Sequence, residues 1–224
     1  VTGVQTCALP IFDGDGVFDV VTGTGPGGGS YVRVFDGVTG QAMPGSLGGF
    51  RAYAPGVTDG VFVAAADVDG DGMADIVTGT DQGAAPWVKV FSGQDGSLLA
   101  SYWAGGLAET GGIHVAAADV TGDGRAEVVT GAGPGGPSRV AVYNVAAAAE
   151  EYSFFAFDPR HRGGVWVAAG DLDGDGSADL FTGTGASATP ELRVYNGKDT
   201  SPLGSALARS EEHTSELQSP IHIS

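Results

Sequence analysis

A nine-residue acidic segment recurs along this chain and constrains its fold more than any other feature. The segment has acids at positions one, three, five and nine and glycine at position six, as in residues 67–75. Related copies occupy residues 119–127 and 171–179, and a shortened copy occupies residues 13–19. The closing acids of successive copies are 56, 52 and 52 residues apart. A period near 50 residues (about four short strands each) indicates a tandem-repeat architecture.

Oxygen ligands on alternate residues suit a hard cation. Calcium takes six to eight oxygens from carboxylates, backbone carbonyls and water, whereas magnesium demands stricter octahedral geometry. The loops contain no Cys or His, which argues against zinc. We therefore predict calcium bound by the side chains at positions one, three and five, the backbone carbonyl at position seven and the closing acid, with glycine allowing a sharp turn at position six.

This assignment gives three complete loops and one truncated loop. The predicted metal ligands are Asp67, Asp69, Asp71, Met73 and Asp75 in the second loop, Asp119, Thr121, Asp123, Arg125 and Glu127 in the third, Asp171, Asp173, Asp175, Ser177 and Asp179 in the fourth, and Asp13, Asp15, Val17 and Asp19 in the first. The first loop has Ile11 where its first ligand should stand. Because Thr121 replaces an acid, calcium binding by the third loop stays open.

Two other structures share part of this loop pattern. Asp-Gly clusters also form turns without any metal, although four copies in register favour a metal site. EF-hand and dockerin loops close at position twelve and lead into a helix. Here the acid at position nine is followed by β-rich runs at 76–78, 128–130 and 180–182, which predicts loops that join strand to strand.

Both chain ends resemble translated sequencing-library adapter. Residues 1–11 and 209–219 read back into DNA strings that are reverse complements of each other apart from a frame offset. We therefore exclude 1–11 and 209–224 from the fold and predict one domain over 12–208; the alternative is a genuine tail with a short helix over 210–218. The single cysteine, Cys7, lies in the excluded part, so cysteine usage and the lack of a signal peptide say nothing about compartment.

The composition favours an all-β protein with tight turns. The chain contains 40 glycines, is rich in Val, Thr and aromatic residues, and shows no long helical period. With 27 acidic and 10 basic residues and a net charge of −17, the surface argues against a nucleic-acid partner. No apolar run approaches the length of a membrane span. Oxygen-only calcium sites with dissociation constants of about 10⁻⁴–10⁻³ M are typical of extracellular modules, so we expect an extracellular or cell-surface location.

Each repeat divides into four predicted strands. The predicted ranges are 60–66, 112–116 and 164–168 for the first strand, 74–78, 126–130 and 178–182 for the second, 31–35, 87–91, 139–143 and 192–195 for the third, and 50–53, 98–103 and 152–157 for the fourth. Four strands in about 52 residues, repeated in tandem, are typical of β-propeller blades. The small residues 64–66 suit an inner strand, where neighbouring blades converge on the axis.

The loops, with Val-Ala-Ala-x-Asp before them and Asp-Ile-Val-Thr-Gly after the second, resemble FG-GAP repeats. That family forms the calcium-binding blades of integrin α-subunit propellers, and many bacterial secreted proteins carry similar repeats. The resemblance covers nearly all of 12–208, although the Phe-Gly…Gly-Ala-Pro signature is kept only loosely, as in 131–134. It implies calcium at the loop residues named above. It also implies that about four repeats are part of a larger ring, since integrin-like propellers have seven blades.

Other candidate motifs are better explained by structure than by chemistry. Residues 23–28 and 131–136 match a dinucleotide-binding fingerprint, but a predicted strand follows instead of the required helix. His114 occupies the repeat position of Phe62 and Trp166, which predicts a packing or surface ring rather than a catalytic residue. His161 lies in a polar loop, where an anionic ligand contact or simple solvation is expected. No Ser/His/Asp set stands out.

Three functional hypotheses follow. The first is a non-catalytic, calcium-binding extracellular propeller module for adhesion or for binding a protein or glycan ligand. The second is the propeller scaffold of a secreted polysaccharide lyase or other carbohydrate-active enzyme, for which the asymmetric feature is the four extra residues between Gly45 and Thr58, a stretch that includes Arg51 and Tyr53. The third is a structural spacer in a large surface protein. The sequence leaves the ligand, the total blade number and the oligomeric state open.

Overall fold

The structure is a computed structural model that describes residues 4–8, 11–57, 59–186 and 189–207, with 4–8 and 207 as backbone alone. It contains four sheets of four antiparallel strands each, which we call blades one to four. The strands are β1 (Val4–Ala8), β2 (Val20–Thr24), β3 (Tyr31–Phe35) and β4 (Phe50–Arg51) in blade one; β5 (Val61–Ala66), β6 (Asp75–Thr80), β7 (Trp87–Phe91) and β8 (Leu98–Trp103) in blade two; β9 (Ile113–Ala118), β10 (Glu127–Ala132), β11 (Arg139–Asn144) and β12 (Ala149–Phe155) in blade three; and β13 (Val165–Gly170), β14 (Asp179–Thr184), β15 (Glu191–Tyr195) and β16 (Pro202–Leu207) in blade four.

Within each blade the strands pair in chain order, so every sheet is a simple meander. The first strands of neighbouring blades contact one another, which places β1, β5, β9 and β13 innermost. Each blade packs on its neighbours in sequence, and the described residues form an open arc of a propeller rather than a closed ring. The predicted all-β propeller fold is confirmed.

The predicted strands agree with the structure apart from small shifts at their ends. The fourth strand of blade one stops at Arg51 because the chain then turns into the junction with blade two. The last strand, β16, was not predicted; its Pro-Leu-Gly-Ser-Ala-Leu sequence lacks β-branched residues. A short 3₁₀ helix, Gly45–Gly48, occupies the extra residues before β4.

Strand β1 lies in the segment that we interpreted as adapter. It pairs antiparallel with β2, from Val4 opposite Thr24 to Ala8 opposite Val20, and so takes the place of the first strand of blade one. A ladder of backbone hydrogen bonds makes few demands on side-chain identity, so this pairing leaves the origin of the segment a prediction. Residues 209–224 lie outside the described part of the chain.

The second strands of blades two and three are buried on both faces. In β6, Ile76 packs in the hydrophobic cluster shared with blade one and the adjacent Val77 packs in the cluster shared with blade three. In β10, Val128 packs in the cluster shared with blade two and Val129 packs in the cluster shared with blade four. Successive side chains of a strand point to opposite faces, so consecutive apolar residues build two interblade cores at once.

The glycine of each Thr-Gly pair allows neighbouring blades to approach closely. A Cβ at Gly23, Gly79 or Gly131 would lie 2.4 Å from a backbone carbonyl oxygen of the next blade's first strand. Among the described residues, the corresponding Gly183 of blade four has only Trp166 Cβ nearby, at 3.8 Å. A side chain at the first three positions would therefore wedge two blades apart.

Three aromatic rings from the inner strands pack together, as the repeat pattern predicted. His114 stacks on Trp166 with ring centroids 3.8 Å apart, and Phe62 meets His114 edge-on at 4.7 Å. Nδ1 of His114 lies 2.7 Å from the carbonyl oxygen of Val165. Burial lowers the pKa of His114, because desolvation disfavours the imidazolium. The predicted packing ring is confirmed.

Tyr53 fastens blade one to blade two. Its ring is buried, and its hydroxyl lies 2.7 Å from the carbonyl oxygen of Trp87 and 3.0 Å from that of Thr78. Burial raises the pKa of this phenol. Arg51 stacks over the ring of Tyr31, 4.6 Å from its centroid. The stretch between Gly45 and Thr58, which would be the asymmetric feature of an enzyme, therefore contributes Tyr53 to the packing between blades.

We expect Tyr53→Phe to destabilise the chain by about 1–3 kcal/mol, since it removes the buried hydrogen bonds between its hydroxyl and carbonyl oxygens of blade two. Tyr31→Phe is the matched control, because that hydroxyl is exposed and accepts only from Arg51. Denaturant unfolding of both variants measures the difference. Equal stability of the two variants would contradict the fastening role.

Among the described residues, the structure has no helix long and apolar enough to cross a lipid bilayer.

Candidate metal centres

Each acidic loop joins the first and second strands of its blade, as predicted. In the second loop, Asp67 accepts hydrogen bonds from the backbone N–H groups of Gly70 at 2.7 Å and Gly72 at 2.8 Å. Asp69 accepts from the N–H of Asp71 at 3.0 Å, and Asp71 accepts from that of Met73 at 2.8 Å. These bonds wrap the backbone around the three carboxylates, so the loop holds the acids together.

Glycine makes that wrapping possible at two positions. The predicted glycine at position six has a φ of 84° to 90° in the four loops. The glycine at position four also has a positive φ, between 77° and 80°. The second requirement was missed, although glycine stands at position four of every copy; the residues are Gly14, Gly70, Gly122 and Gly174.

Two carboxylate triads converge within the described residues. Oxygens of Asp67, Asp69 and Asp71 all lie within 4.8 Å of one another, and those of Asp171, Asp173 and Asp175 do the same. Three negative charges at this distance repel one another unless a cation lies between them. The donor set is entirely oxygen, which suits calcium or magnesium and not zinc. Both triads therefore fit the predicted cation.

The closing acid at position nine has a different environment. Asp75 is fully buried, with one oxygen accepting from the N–H of Val68 and the other from the N–H of Gly93, both at 3.0 Å. Burial, with smaller contributions from the charges of Asp69 and Asp71, raises the pKa of Asp75 to about 6. A cation in the loop would offset both effects.

Asp75 thus ties its own loop to the hairpin that follows β7. Asp19 makes the equivalent bonds, to the N–H of Phe12 at 2.7 Å and of Gly37 at 2.9 Å. Asp179 accepts from the N–H of Leu172 at 2.9 Å. These buried acids lie outside the two triads, and their coordination of the cation, like that of the carbonyls at position seven, stays a prediction.

The third loop departs from this arrangement. Thr121 leaves Asp119 and Asp123 as its only acids before the closing residue. Glu127 is buried and accepts from the N–H groups of Val120 at 2.9 Å and Thr121 at 3.1 Å. Burial raises the pKa of Glu127. Val145 takes the position that Gly93 has in the hairpin of blade two. Glu127, which has a longer side chain than aspartate, accepts both of its hydrogen bonds within its own loop. The sequence alone did not relate the glutamate to the valine.

The first loop keeps its closing acid but has a short acid set. Asp13 and Asp15 accept backbone hydrogen bonds at 3.0 and 2.7 Å, as their equivalents do. Ile11 contributes no side-chain oxygen at position one. Its backbone carbonyl accepts from the N–H of Ala74 at 3.3 Å. The truncation expected from sequence is thus seen in the ligand set.

Neighbouring loops are linked directly. The N–H of Ala126 donates to the carbonyl oxygen of Asp67, and the N–H of Ala178 donates to that of Asp119, both at 2.7 Å. The backbone N–H at position eight of a loop thus donates a hydrogen bond to the backbone carbonyl at position one of the preceding loop. The sequence signal for this link was the alanine at position eight of every complete copy.

We expect Asp71→Ala to abolish calcium binding by the second loop and to leave the fourth loop intact, because each triad belongs to a single loop. Calorimetric titration should show a stoichiometry lower by one. Glu151→Ala, which removes an exposed acid outside the loops, should leave the stoichiometry unchanged. Loss of every site in Asp71→Ala would show instead that the linked loops bind as one unit.

The remaining motifs behave as structural elements. Residues 25–28 and 133–136 form turns closed by backbone hydrogen bonds, of 3.0 Å in the first and 3.1 Å in the second. A strand follows each turn, β3 and β11, so the dinucleotide-binding interpretation is excluded for both. His161 lies in the turn that its own N–H closes on the carbonyl oxygen of Asp158 at 2.8 Å.

Comparisons with known proteins agree with this geometry. A family model for the FG-GAP-like repeat matches residues 67–130, and one for the FG-GAP repeat matches residues 163–198. No curated protein sequence matches the chain significantly. The first matched region includes the second and third acidic loops, and the second includes the fourth loop with the strands on either side of it.

Solved structures with a similar fold include three rhamnogalacturonan lyases. The exotype lyase YesX gives a TM-score of 0.55 at 16% identity, with 89% of this chain and 40% of that chain covered. The Bacillus licheniformis lyase PL11 gives 0.57 at 14%, with 92% and 51% covered, and the lyase YesW gives 0.52 at 13%, with 92% and 52% covered. The chain therefore spans about half or less of these proteins, and the likeness shows a shared propeller-type fold. With its repeated acidic loops and both family-model matches, this chain contains repeats of the FG-GAP family, over residues 67–130 and 163–198.

Proposed function

We propose that this chain is a calcium-binding, extracellular β-propeller module that binds a protein or glycan ligand, as in adhesion, and is itself non-catalytic. The observation that carries the proposal is the convergence of three aspartate carboxylates in the second and fourth loops. All-oxygen clusters on short turns are the ligand sets that calcium prefers. The family matches support the same assignment, because they include these loops.

In this account calcium has a structural role. The cation cancels the repulsion within each triad and fixes the turn between the first two strands of the blade. Because neighbouring loops are hydrogen-bonded to each other, ordering one loop also restrains the next. The chain carries a net charge of −17. Bound calcium offsets the negative charge of the acidic loops, which lie at one edge of the blades.

The extracellular location follows from the affinity expected of such loops. Dissociation constants of about 10⁻⁴–10⁻³ M are met by the calcium concentrations outside cells and not by those in the cytosol. A cell-surface or secreted setting also suits the ligand classes proposed, proteins and glycans. The acidic surface argues against nucleic acid as the partner.

Calorimetric titration with calcium and magnesium tests the metal, and a glycan array read with and without calcium tests the ligand. We expect saturable calcium binding, weaker magnesium binding, and array signals that chelator abolishes. Absence of calcium binding at millimolar concentrations would refute the module as proposed. Calcium binding without any glycan or protein ligand would favour the structural spacer.

A second candidate is the propeller scaffold of a secreted polysaccharide lyase. The observation that favours it is the shared fold with three rhamnogalacturonan lyases, over nearly all of this chain. Incubation with rhamnogalacturonan distinguishes the two candidates, because a lyase releases products with a new carbon–carbon double bond that absorb ultraviolet light. Such products from this chain would contradict the non-catalytic assignment.

A further inference from the structure

Two of the three junctions between blades are filled by the same kind of side-chain pair. At the junction of blades one and two, Lys89 lies 5.2 Å from the ring centroid of Tyr53 and donates to the carbonyl oxygen of Ala52 at 2.9 Å. At the junction of blades three and four, Arg193 lies 4.9 Å from the ring of Phe157 and donates to the carbonyl oxygen of Ala156 at 2.8 Å. Each pair consists of an aromatic ring and a cation, and it closes the space beside the second strand.

The junction of blades two and three lacks the aromatic ring, and its cation comes from a different position, because Arg139 donates to the carbonyl oxygen of Ala104 at 3.4 Å. Gly105 stands 52 residues after Tyr53 and 52 before Phe157, and Ala141 stands midway between Lys89 and Arg193 in the same way. A cavity of about 360 Å³ lies at this junction, lined by Gly105 where the other junctions have the aromatic ring. Small-molecule sites commonly measure about 300–1,000 Å³. The repeat symmetry is therefore broken in a way that opens a pocket.

The cavity is lined by both polar and apolar groups. Its lining includes Glu109, Glu150, Arg139 and Thr130, together with Ile113. Nη2 of Arg139 contacts both carboxylate oxygens of Glu150 at 2.6 Å. The carboxylate of Glu109 points toward the position of the missing aromatic ring: a Cβ at Gly105 would lie 2.7 Å from its Oε2.

This combination matches the chemistry of a sugar ring. Carboxylates accept hydrogen bonds from vicinal hydroxyl groups, a guanidinium donates to hydroxyl or ring oxygens, and an apolar wall packs against C–H faces. Two carboxylates outnumber one guanidinium, so the lining carries excess negative charge and disfavours an anionic sugar. We propose that the cavity between blades two and three binds one neutral pyranose residue of a glycan, an inference that rests on the proposed glycan-binding function.

The test uses the whole chain in the presence of calcium and four neutral probes, D-glucose, D-galactose, D-mannose and L-rhamnose. Binding is followed by amide chemical shifts of cavity residues such as Thr130 during titration. At least one probe is expected to give saturable shifts. D-galacturonate, which differs from D-galactose by a carboxylate at C6, is expected to bind several-fold more weakly.

Three variants connect binding to the cavity. Gly105→Phe restores the aromatic ring, Arg139→Gln removes the guanidinium group and its charge, and Glu109→Gln removes one hydrogen-bond acceptor and its charge. We expect each to weaken sugar binding by about tenfold or more, equivalent to the loss of about 1.4 kcal/mol. Glu151→Gln, an exposed neighbour of Glu150, is the control and should bind as the original chain does. Arg139→Gln and Glu109→Gln retain the test if Gly105→Phe does not fold.

The proposal is overturned if none of the four neutral sugars gives saturable shifts, or if all folded cavity variants bind as the control does. Calcium titration of the same samples separates this result from failure of the calcium assignment. If calcium binds but no sugar does, the proposal for the cavity is rejected and the calcium assignment stands. If a sugar binds but calcium does not, the metal assignment is rejected and the proposal for the cavity stands.

Discussion

Removing calcium is expected to lower the melting temperature of this chain by about 10–20 °C, the largest effect that the account predicts. A ligand that binds only the folded state stabilises it by about 2.7 kcal/mol at a concentration 100 times its dissociation constant. With about 10 mM calcium and sites of about 10⁻⁴ M, the two triads together contribute about 5 kcal/mol. For a chain of this size, each kcal/mol shifts the melting temperature by about 2–4 °C.

The measurement is a thermal melt in 10 mM calcium and in excess chelator at the same ionic strength. Matched sodium chloride controls for screening, since salt alone reduces the repulsion of exposed acids. The double variant Asp71→Ala, Asp175→Ala should have a melting temperature that barely responds to calcium. A calcium effect of the same size in that variant would show that the stabilising cation binds elsewhere.

A side chain at the Thr-Gly glycine of blade three is expected to destabilise the chain by about 3 kcal/mol, near the upper end of overpacking effects. In Gly131→Val, the new Cβ would lie 2.4 Å from the carbonyl oxygen of Val165, which is rigid backbone. The only relief is to move blades three and four apart, and this opens the hydrophobic cluster between them.

Gly183→Val supplies a matched control within the same chain. It makes the same substitution at the same repeat position, but its only close neighbour in the described part of the chain is Trp166 Cβ at 3.8 Å. Its free energy of unfolding should change by less than about 1 kcal/mol, as for uncrowded sites. Denaturant unfolding compares the two variants directly. Equal losses in both would mean that strand propensity, and not the approach of the next blade, sets the cost.

The repeated loops made most of the fold predictable. Their period gave four strands per blade, and β3 and β7 were predicted to the residue because Val-x-Val alternation marks a half-buried strand. The last strand, β16, was missed because its side chains carry no such alternation. The backbone ladder that β1 supplies to blade one has no signature in side-chain pattern, so periodicity could not reveal it.

The candidate site was predictable in its residues and less so in its geometry. Spacing identified the triads, since alternate acids on a tight turn must face one centre. It did not reveal that Asp75 bonds the hairpin at Gly93, because that contact joins residues 18 positions apart through the packing of the blade. The cavity at Gly105 was also hidden, because a missing side chain becomes informative only when neighbouring junctions show what fills the space.

Diffraction from a crystal of the calcium-saturated chain tests the central claim most directly. Anomalous density is predicted among the carboxylates of Asp67, Asp69 and Asp71 and among those of Asp171, Asp173 and Asp175, with metal–oxygen distances of about 2.3–2.6 Å. Splayed carboxylates with no anomalous density between them, in crystals soaked at millimolar calcium, would contradict it.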